Sequence, residues 1–232
     1  MKRKMENPRT HLVTGDVPFE FVEAYKALRT NFNFVTHTSN CRTILITSAM
    51  PNEGKTSVVI NLAISLVQTG KRVLVLDGDL RNPTLHRYLN LRREAGRGLT
   101  AILAGSANME DCVVATQLGF DVIPGGTTPP NPVELLTSKE MTQLLAAGQE
   151  KYDFIICDAP PVGLVTDAAA MSGMCDGVLF VVRQKMAKKN HVIGAVHKLK
   201  SVNARILGVI FNQYDMTDLP EKDYSYYSSY GR

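Results

Sequence analysis

The sequence predicts an α/β chain built on a doubly wound, mostly parallel sheet with helices on both faces. Strand-length runs that are apolar throughout alternate with helical patterns from about residue 20 to 212. Wholly apolar strands separated by helices belong to parallel sheets buried on both sides. The chain has 232 residues, 44% hydrophobic and 21% charged. That is enough to bury a core without staples, and it argues against wholesale disorder. Finally, the first apolar run ends in a turn bearing Gly54-Lys55-Thr56 that leads straight into a helical pattern.

The elements follow in order. Residues 1–18 form an N-terminal arm that is basic at Lys2, Arg3, Lys4 and Arg9 and is not followed by the apolar stretch of a secretory signal. Residues 19–38 read as a helical preface rich in aromatic and basic side chains. Residues 42–48 (RTILITS) are a buried strand and 56–69 a helix; 72–76 are a second strand, ending on Asp77. Later strands are expected at 120–123, 154–157, 178–182 and 206–211, with helices at 138–148 and 190–201 between them. No repeat or low-complexity linker interrupts this pattern, so residues 19–214 read as one domain. Residues 215–232 (DMTDLPEKDYSYYSSYGR) lack apolar periodicity and are expected to form a mobile tail reaching at most ~60 Å.

Composition removes several function classes. With 26 Lys+Arg against 22 Asp+Glu the net charge is +4, too mild to imply nucleic acid. No apolar run approaches the ~18 residues needed to cross a bilayer. Cys41, Cys112, Cys157 and Cys175 are scattered without a CxxC, which indicates neither a disulfide framework nor a zinc site. The tyrosines are unevenly placed: of eight in the chain, Tyr224, Tyr226, Tyr227 and Tyr230 lie in the last nine residues. Aromatics are depleted in ordinary disordered termini, so this cluster argues for use.

The chemistry concentrates at three strand ends. Residues 48–57 read S-A-M-P-N-E-G-K-T-S between a strand and a helix, the context of a P-loop. There Gly54 lets backbone N–H groups close on phosphate, the helix N-terminus adds its positive dipole end, Lys55 reaches the β/γ-phosphates, and the Thr56 hydroxyl meets Mg²⁺. Glu53 and Ser57 complete the nucleotide-contacting stretch. Ala49 stands where the first glycine of GxxxxGK[ST] usually sits, so the strict pattern is missed by one residue. Residues 73–79 (VLVLDGD) run into Asp77 and Asp79, and residues 154–158 (FIICD) run into Asp158. Ligands of parallel sheets sit beyond the carboxyl ends of the strands, so all three carboxylates are expected to face the P-loop. One can hold Mg²⁺ while another takes a proton.

Together, SAMPNEGKT, LVLDGDLRNP and FIICDAPPV closely resemble the motifs of the bacterial tyrosine kinases (BY-kinases). The resemblance is to the cytoplasmic kinase subunit of Gram-positive capsule and exopolysaccharide systems. It runs from about Glu20 to the tail and takes in EAYKALRTN (23–31 within it), GGTTPPNPVELL (125–136) and the tyrosine cluster. It implies a P-loop NTPase fold of the MinD/ParA type and an ATP-dependent, non-specific protein-tyrosine kinase. By the resemblance Lys55 is the phosphate lysine, Thr56, Asp79 and Asp158 organise Mg²⁺, and the Asp77/Asp79 pair supplies the base. Asp77 is the expected proton acceptor, although a two-residue spacing does not separate the pair. Arg81 steadies phosphates or the incoming tail, or is a plain surface arginine.

The same fold also serves MinD/ParA-type ATPases, whose loop carries a second lysine where this chain has Met50. That disfavours a positioning ATPase, while a nucleotide-dependent switch that binds a membrane partner stays open beside the kinase. Asn212-Gln213-Tyr214-Asp215 is a near miss for a GTPase base reader, and Asn212 is a candidate base contact.

The resemblance further implies ring assembly through a Glu-x2-Arg-x2-Arg pattern, here Glu23, Lys26 and Arg29, with lysine in place of the first arginine. It implies a transmembrane activator of the polysaccharide co-polymerase type, a cognate tyrosine phosphatase, and a cytoplasmic protein recruited to the inner face of the membrane. The phosphoacceptors would be Tyr224, Tyr226, Tyr227 and Tyr230.

Overall fold

The computed structural model describes residues 12–14, 17–91 and 96–215. In chain order the elements are α1 (Phe19–Ser39), β1 (Thr43–Ser48), α2 (Lys55–Val67), β2 (Val73–Asp77), α3 (Leu85–Tyr88), α4 (Leu99–Leu103), α5 (Met109–Cys112) and β3 (Val114–Ala115). Then follow β4 (Asp121–Ile123), α6 (Pro132–Leu136), α7 (Lys139–Lys151), β5 (Phe154–Asp158), α8 (Asp167–Ser172), β6 (Gly177–Arg183), α9 (Lys189–Ser201) and β7 (Ile206–Asn212). The seven strands form one sheet in the order β3-β4-β2-β5-β1-β6-β7. Every pairing is parallel except the short β3–β4 edge.

The expected doubly wound architecture is therefore what forms, and its strands fall within a residue or two of the apolar runs. Short elements such as α3, α5 and β3 carry too little periodicity to be read from sequence. The reason for continuous apolar strands is visible in the packing. Leu45, Leu74, Leu76, Ile155 and Cys157 turn to one face, towards α7 and α8, with none of them exposed. Ile44, Ile46, Val73, Val75 and Ile156 turn to the other, under α2 and α1. Alternate side chains along a strand point to opposite faces, so a strand buried on both is apolar on both, save where a hydroxyl finds a partner, as Thr47 and Ser48 do.

The preface is a real helix and packs on the second face. Tyr25, Phe32 and Thr36 are its buried residues, spaced to fall on one side. Phe32 meets Phe154 edge-on with ring centroids 5.0 Å apart. The helix stops at Asn40, whose left-handed φ of 50° turns the chain into β1.

Gly148 of α7 lies directly against the sheet, where even a Cβ would come within 2.8 Å of Ile155 and 3.6 Å of Leu74. Leu74→Ala would thus open a cavity beside a position with no side chain to fill it. Urea unfolding should show a loss of about 2–5 kcal/mol, and a loss under 1 kcal/mol would mean this layer is looser than described.

Candidate active site

The central strands β2, β5 and β1 lie side by side, and each ends at the same cleft. Register pairs Asp77 of β2 with Asp158 of β5, and Asp158 with Ile46 of β1. Two carboxylates thus sit on adjacent strands, and the turn that follows β1 passes beside them. Gly78 N–H donates to the Asp158 carbonyl at 2.8 Å, which ties the two strand ends together. The Pro160–Pro161 turn is strapped to β1 by the Thr47 hydroxyl, which donates to the Pro160 carbonyl at 2.7 Å.

The loop from β1 to α2 needs unusual backbone at only two places. Asn52 has φ 63° and Gly54 φ 89°. A Cβ on Gly54 would lie 2.1 Å from Asn212 Nδ2, so glycine is required there by both conformation and space. Ala49 is not among the residues with positive φ, which explains why the first glycine of the strict pattern is dispensable. Met50 packs against the core below the loop, and its carbonyl accepts the Ser48 hydroxyl at 2.7 Å.

These segments enclose a cleft of about 450 Å³ lined by Gly54, Lys55, Thr56, Ser57, Asp79 and Asp158, with Arg81, Thr84, Arg183 and Gln213 on its walls. The Thr56 hydroxyl donates to Asp158 Oδ2 at 2.6 Å and lies 3.3 Å from Thr84 Oγ1. Asp158 Oδ1 is buried and has no hydrogen-bond partner. An orphaned hard oxygen beside a threonine hydroxyl fits Mg²⁺, which takes one or two protein oxygens and fills its octahedron with water and phosphate. Among the described residues no cluster of three or more His, Cys, Asp or Glu could hold a metal by itself.

The two aspartates after β2 occupy different places. Asp77 is wholly buried, and its Oδ2 accepts the Leu85 N–H at 3.1 Å. Asp79, beyond the strand, lines the cleft and accepts the Asn82 N–H at 3.0 Å. Burial, then the adjacent Asp158 charge, push the Asp77 carboxyl well above the usual range. Burial also raises Asp79, against the Asn82 N–H and Lys55. Asp158 is pushed up to about 6 by burial, with the Lys55 ammonium and Thr56 hydroxyl pulling the other way. Glu53 is fully buried and neither carboxylate oxygen completes a hydrogen bond; burial raises it, against backbone N–H groups of Met50 and Ala49.

Asn212 reaches the loop with its side-chain amide: Nδ2 donates to the Glu53 backbone carbonyl at 2.8 Å. Arg183, at the end of β6, makes the matching bond from Nη1 to the Asn52 carbonyl at 3.1 Å. Arg183 and Thr84 were not singled out by sequence, since neither falls in a motif. Asp167 was also missed; it opens α8, where an aspartate reads as an ordinary helix start. Arg81 pairs with it, Nε to Oδ1 at 2.8 Å. Far from the cleft, Glu23 and Lys26 pair with each other on α1 at 2.7 Å, and Arg29 Nη1 donates to the Ser65 carbonyl of α2 at 2.8 Å. The tail tyrosines Tyr224, Tyr226, Tyr227 and Tyr230 lie outside the described residues.

Residues 41–207 match the family described as AAA domain. The chain is 36% identical over 208 residues to the tyrosine-protein kinase YwqD of Bacillus subtilis (strain 168), covering 89% of this chain and 86% of that one. Its fold superposes on the kinase domain of the Escherichia coli tyrosine kinase ETK with a TM-score of 0.78 at 33% identity, covering 84% of this chain and 77% of that one. The septum site-determining protein MinD of Pyrococcus horikoshii OT3, solved with Mg-ADP, gives a TM-score of 0.63 at 27% identity, covering 79% of this chain and 76% of that one.

The raised Asp158 carboxyl carries a stability signature in the protein free of metal and nucleotide. Its folded state holds a proton up to about pH 6, whereas the unfolded state releases it near 3.8. That contribution is fully present below 3.8 and is lost as pH rises through about 6. A shift of about two units corresponds to ~3 kcal/mol. The melting temperature of wild type should therefore fall, relative to Asp158→Asn, between about pH 4 and 7. Parallel profiles for the two proteins would refute the assignment.

Proposed function

Because this chain belongs to the bacterial tyrosine kinases, we propose that it transfers the γ-phosphoryl group of ATP to tyrosines of residues 215–232 on a neighbouring copy. The observation that carries this reading is the meeting of cleft and chain exit. Gln213 lines the cleft, and Asp215 just beyond it is held by Lys185 at 3.1 Å. The tyrosine-bearing segment is thus rooted at the rim of a phosphate site.

Each residue has a definite task. The Gly54–Ser57 backbone at the start of α2 receives the phosphates, with the helix dipole behind it. Lys55 neutralises charge on them. Thr56 and Asp158 hold Mg²⁺, joined by Asp79 from the cleft wall; when bound, the ion offsets the charge that develops on the phosphoryl oxygens. The Asp77/Asp79 pair accepts the proton. A tyrosine hydroxyl with an ordinary pKa of about 10 needs such a base, and burial keeps both carboxyls proton-avid. The acceptor oxygen forms its bond to phosphorus as the bond to the leaving diphosphate breaks, and the tyrosine proton goes to the carboxylate. Glu53 and Asn212 shape the loop.

Regulation follows from charge. Each phosphate adds about −1.5 to −2, so four would carry the chain from +4 to net negative and repel neighbouring tails. In this reading the copies assemble as a ring with Glu23, Lys26 and Arg29 at the contact. A transmembrane activator of the polysaccharide co-polymerase type brings the assembly to the inner face of the membrane, and a cognate tyrosine phosphatase resets the tail. The output is control of capsule or exopolysaccharide synthesis and export. Among the described residues no helix is long and apolar enough to cross a membrane.

A mixing experiment tests transfer between copies. Lys55→Met protein with its tail intact is combined with a copy whose Tyr224, Tyr226, Tyr227 and Tyr230 are replaced by phenylalanine, and phosphotyrosine is mapped by mass spectrometry with the activator segment present. Label should appear on the Lys55→Met chain only in the mixture. No label in the mixture, with wild type labelled, would mean transfer within one chain. Asp77→Asn and Asp79→Asn should each cut the labelling rate by about 10²-fold or more, and only Asp79→Asn should also raise the Mg²⁺ concentration needed for half-maximal rate.

A further inference from the structure

The loop after β2 carries a side chain whose anchor lies in another part of the fold. Arg81 is 45% exposed and lines the cleft, while its partner Asp167, at the start of α8, is wholly buried. Their contact joins Nε to Oδ1 at 2.8 Å, and Asp167 Oδ2 has no hydrogen-bond partner. Burying a carboxylate is costly unless a counter-charge answers it. Here the answering charge is a cation at the mouth of the phosphate cleft.

The geometry of the contact matters. Nε is the inner nitrogen of a rigid planar fork, so holding it leaves the four N–H groups of Nη1 and Nη2 at the cleft wall with their direction set. The rotamer freedom of a long side chain is thus already spent before a ligand arrives. Arg81 stands two residues from Asp79, on the segment that carries the proton-accepting pair, not on the loop that wraps the inner phosphates. A guanidinium on that segment lines the cleft together with Asp79.

We propose that Asp167 is a positioning residue that holds Arg81 pre-ordered for the terminal phosphoryl group of a bound nucleoside triphosphate. The inference rests on the phosphotransfer reading above. A purely structural pair would tie α8 to the loop and leave ligand affinity alone.

A double-mutant cycle on the full chain separates the two. Dissociation constants are measured for the Mg²⁺ complexes of a non-hydrolysable ATP analogue and of ADP, by displacement of a fluorescent nucleotide, for wild type, Asp167→Asn, Arg81→Ala and the double variant. Asp167→Asn should weaken the triphosphate analogue about tenfold, the size of a lost charge-assisted hydrogen bond, and affect ADP less. In the Arg81→Ala background it should add nothing, because its effect runs through Arg81. Wild-type affinity in Asp167→Asn, a full effect persisting without Arg81, or an equal loss for ADP would each overturn the proposal. If Asp167→Asn does not fold, Arg81→Lys takes its place; it keeps the charge but not the fork, and unaltered analogue affinity would overturn the proposal equally. Nucleotide affinity is read independently of tail labelling, so a negative cycle leaves the kinase reading standing and an unlabelled tail leaves the cycle readable.

Discussion

Parallel pairing of β2 with β5 sets Asp77 and Asp158 side by side at the carboxyl end of the sheet, almost without solvent. Two like charges in that position would repel and lack hydration, and the surroundings respond to this. The Leu85 N–H donates to one carboxylate and the Thr56 hydroxyl to the other, while Lys55 draws Asp158 back towards ionisation. The remaining deficit is visible as orphaned oxygens on Asp77, Asp158 and Glu53. Such crowding of buried carboxyls is costly to stability, and it is at functional sites that proteins tolerate it.

The phosphate loop is not held by its own residues alone. Arg183 from β6 and Asn212 from β7 donate to consecutive carbonyls, those of Asn52 and Glu53. Both donors end strands on the far side of β1, so the loop is clamped from a part of the chain well over a hundred residues later. Gln213, next to Asn212, then lines the cleft. The loop and the end of β7 are therefore tied together by a direct hydrogen bond.

Much of this was legible beforehand. The apolar runs marked β1, β2, β5 and β6 because a strand covered on both faces is mostly apolar; the run at β7 was equally apolar although Val209 and Phe211 are exposed. The P-loop context, Lys55, Thr56 and the acidic strand ends followed from local order alone. Asn212 was legible as a candidate base contact; its bond to the loop backbone was not, because its partner Glu53 lies 159 positions earlier. Arg29, which the resemblance implies as an oligomer contact, also donates to the Ser65 carbonyl of α2, a bond that no local pattern announces. Asp167 gave no signal, because an aspartate opening a helix is common and its partner lies 86 positions earlier.

The sequence by itself determined which residues end strands, where backbone must turn left-handed, and which chemistry the motifs carry, since these depend on neighbours along the chain. Only the tertiary structure decided which strand ends stand next to which. The order β2-β5-β1 turned two separate aspartates into one coupled pair. The displacement of Asp79 beyond β2 divided Asp77 and Asp79 into a buried and a cleft-facing carboxylate. The packing of α8 against the loop gave Arg81 its anchor. Each of these is a contact between segments far apart in sequence, fixed by how the sheet closes rather than by any local pattern.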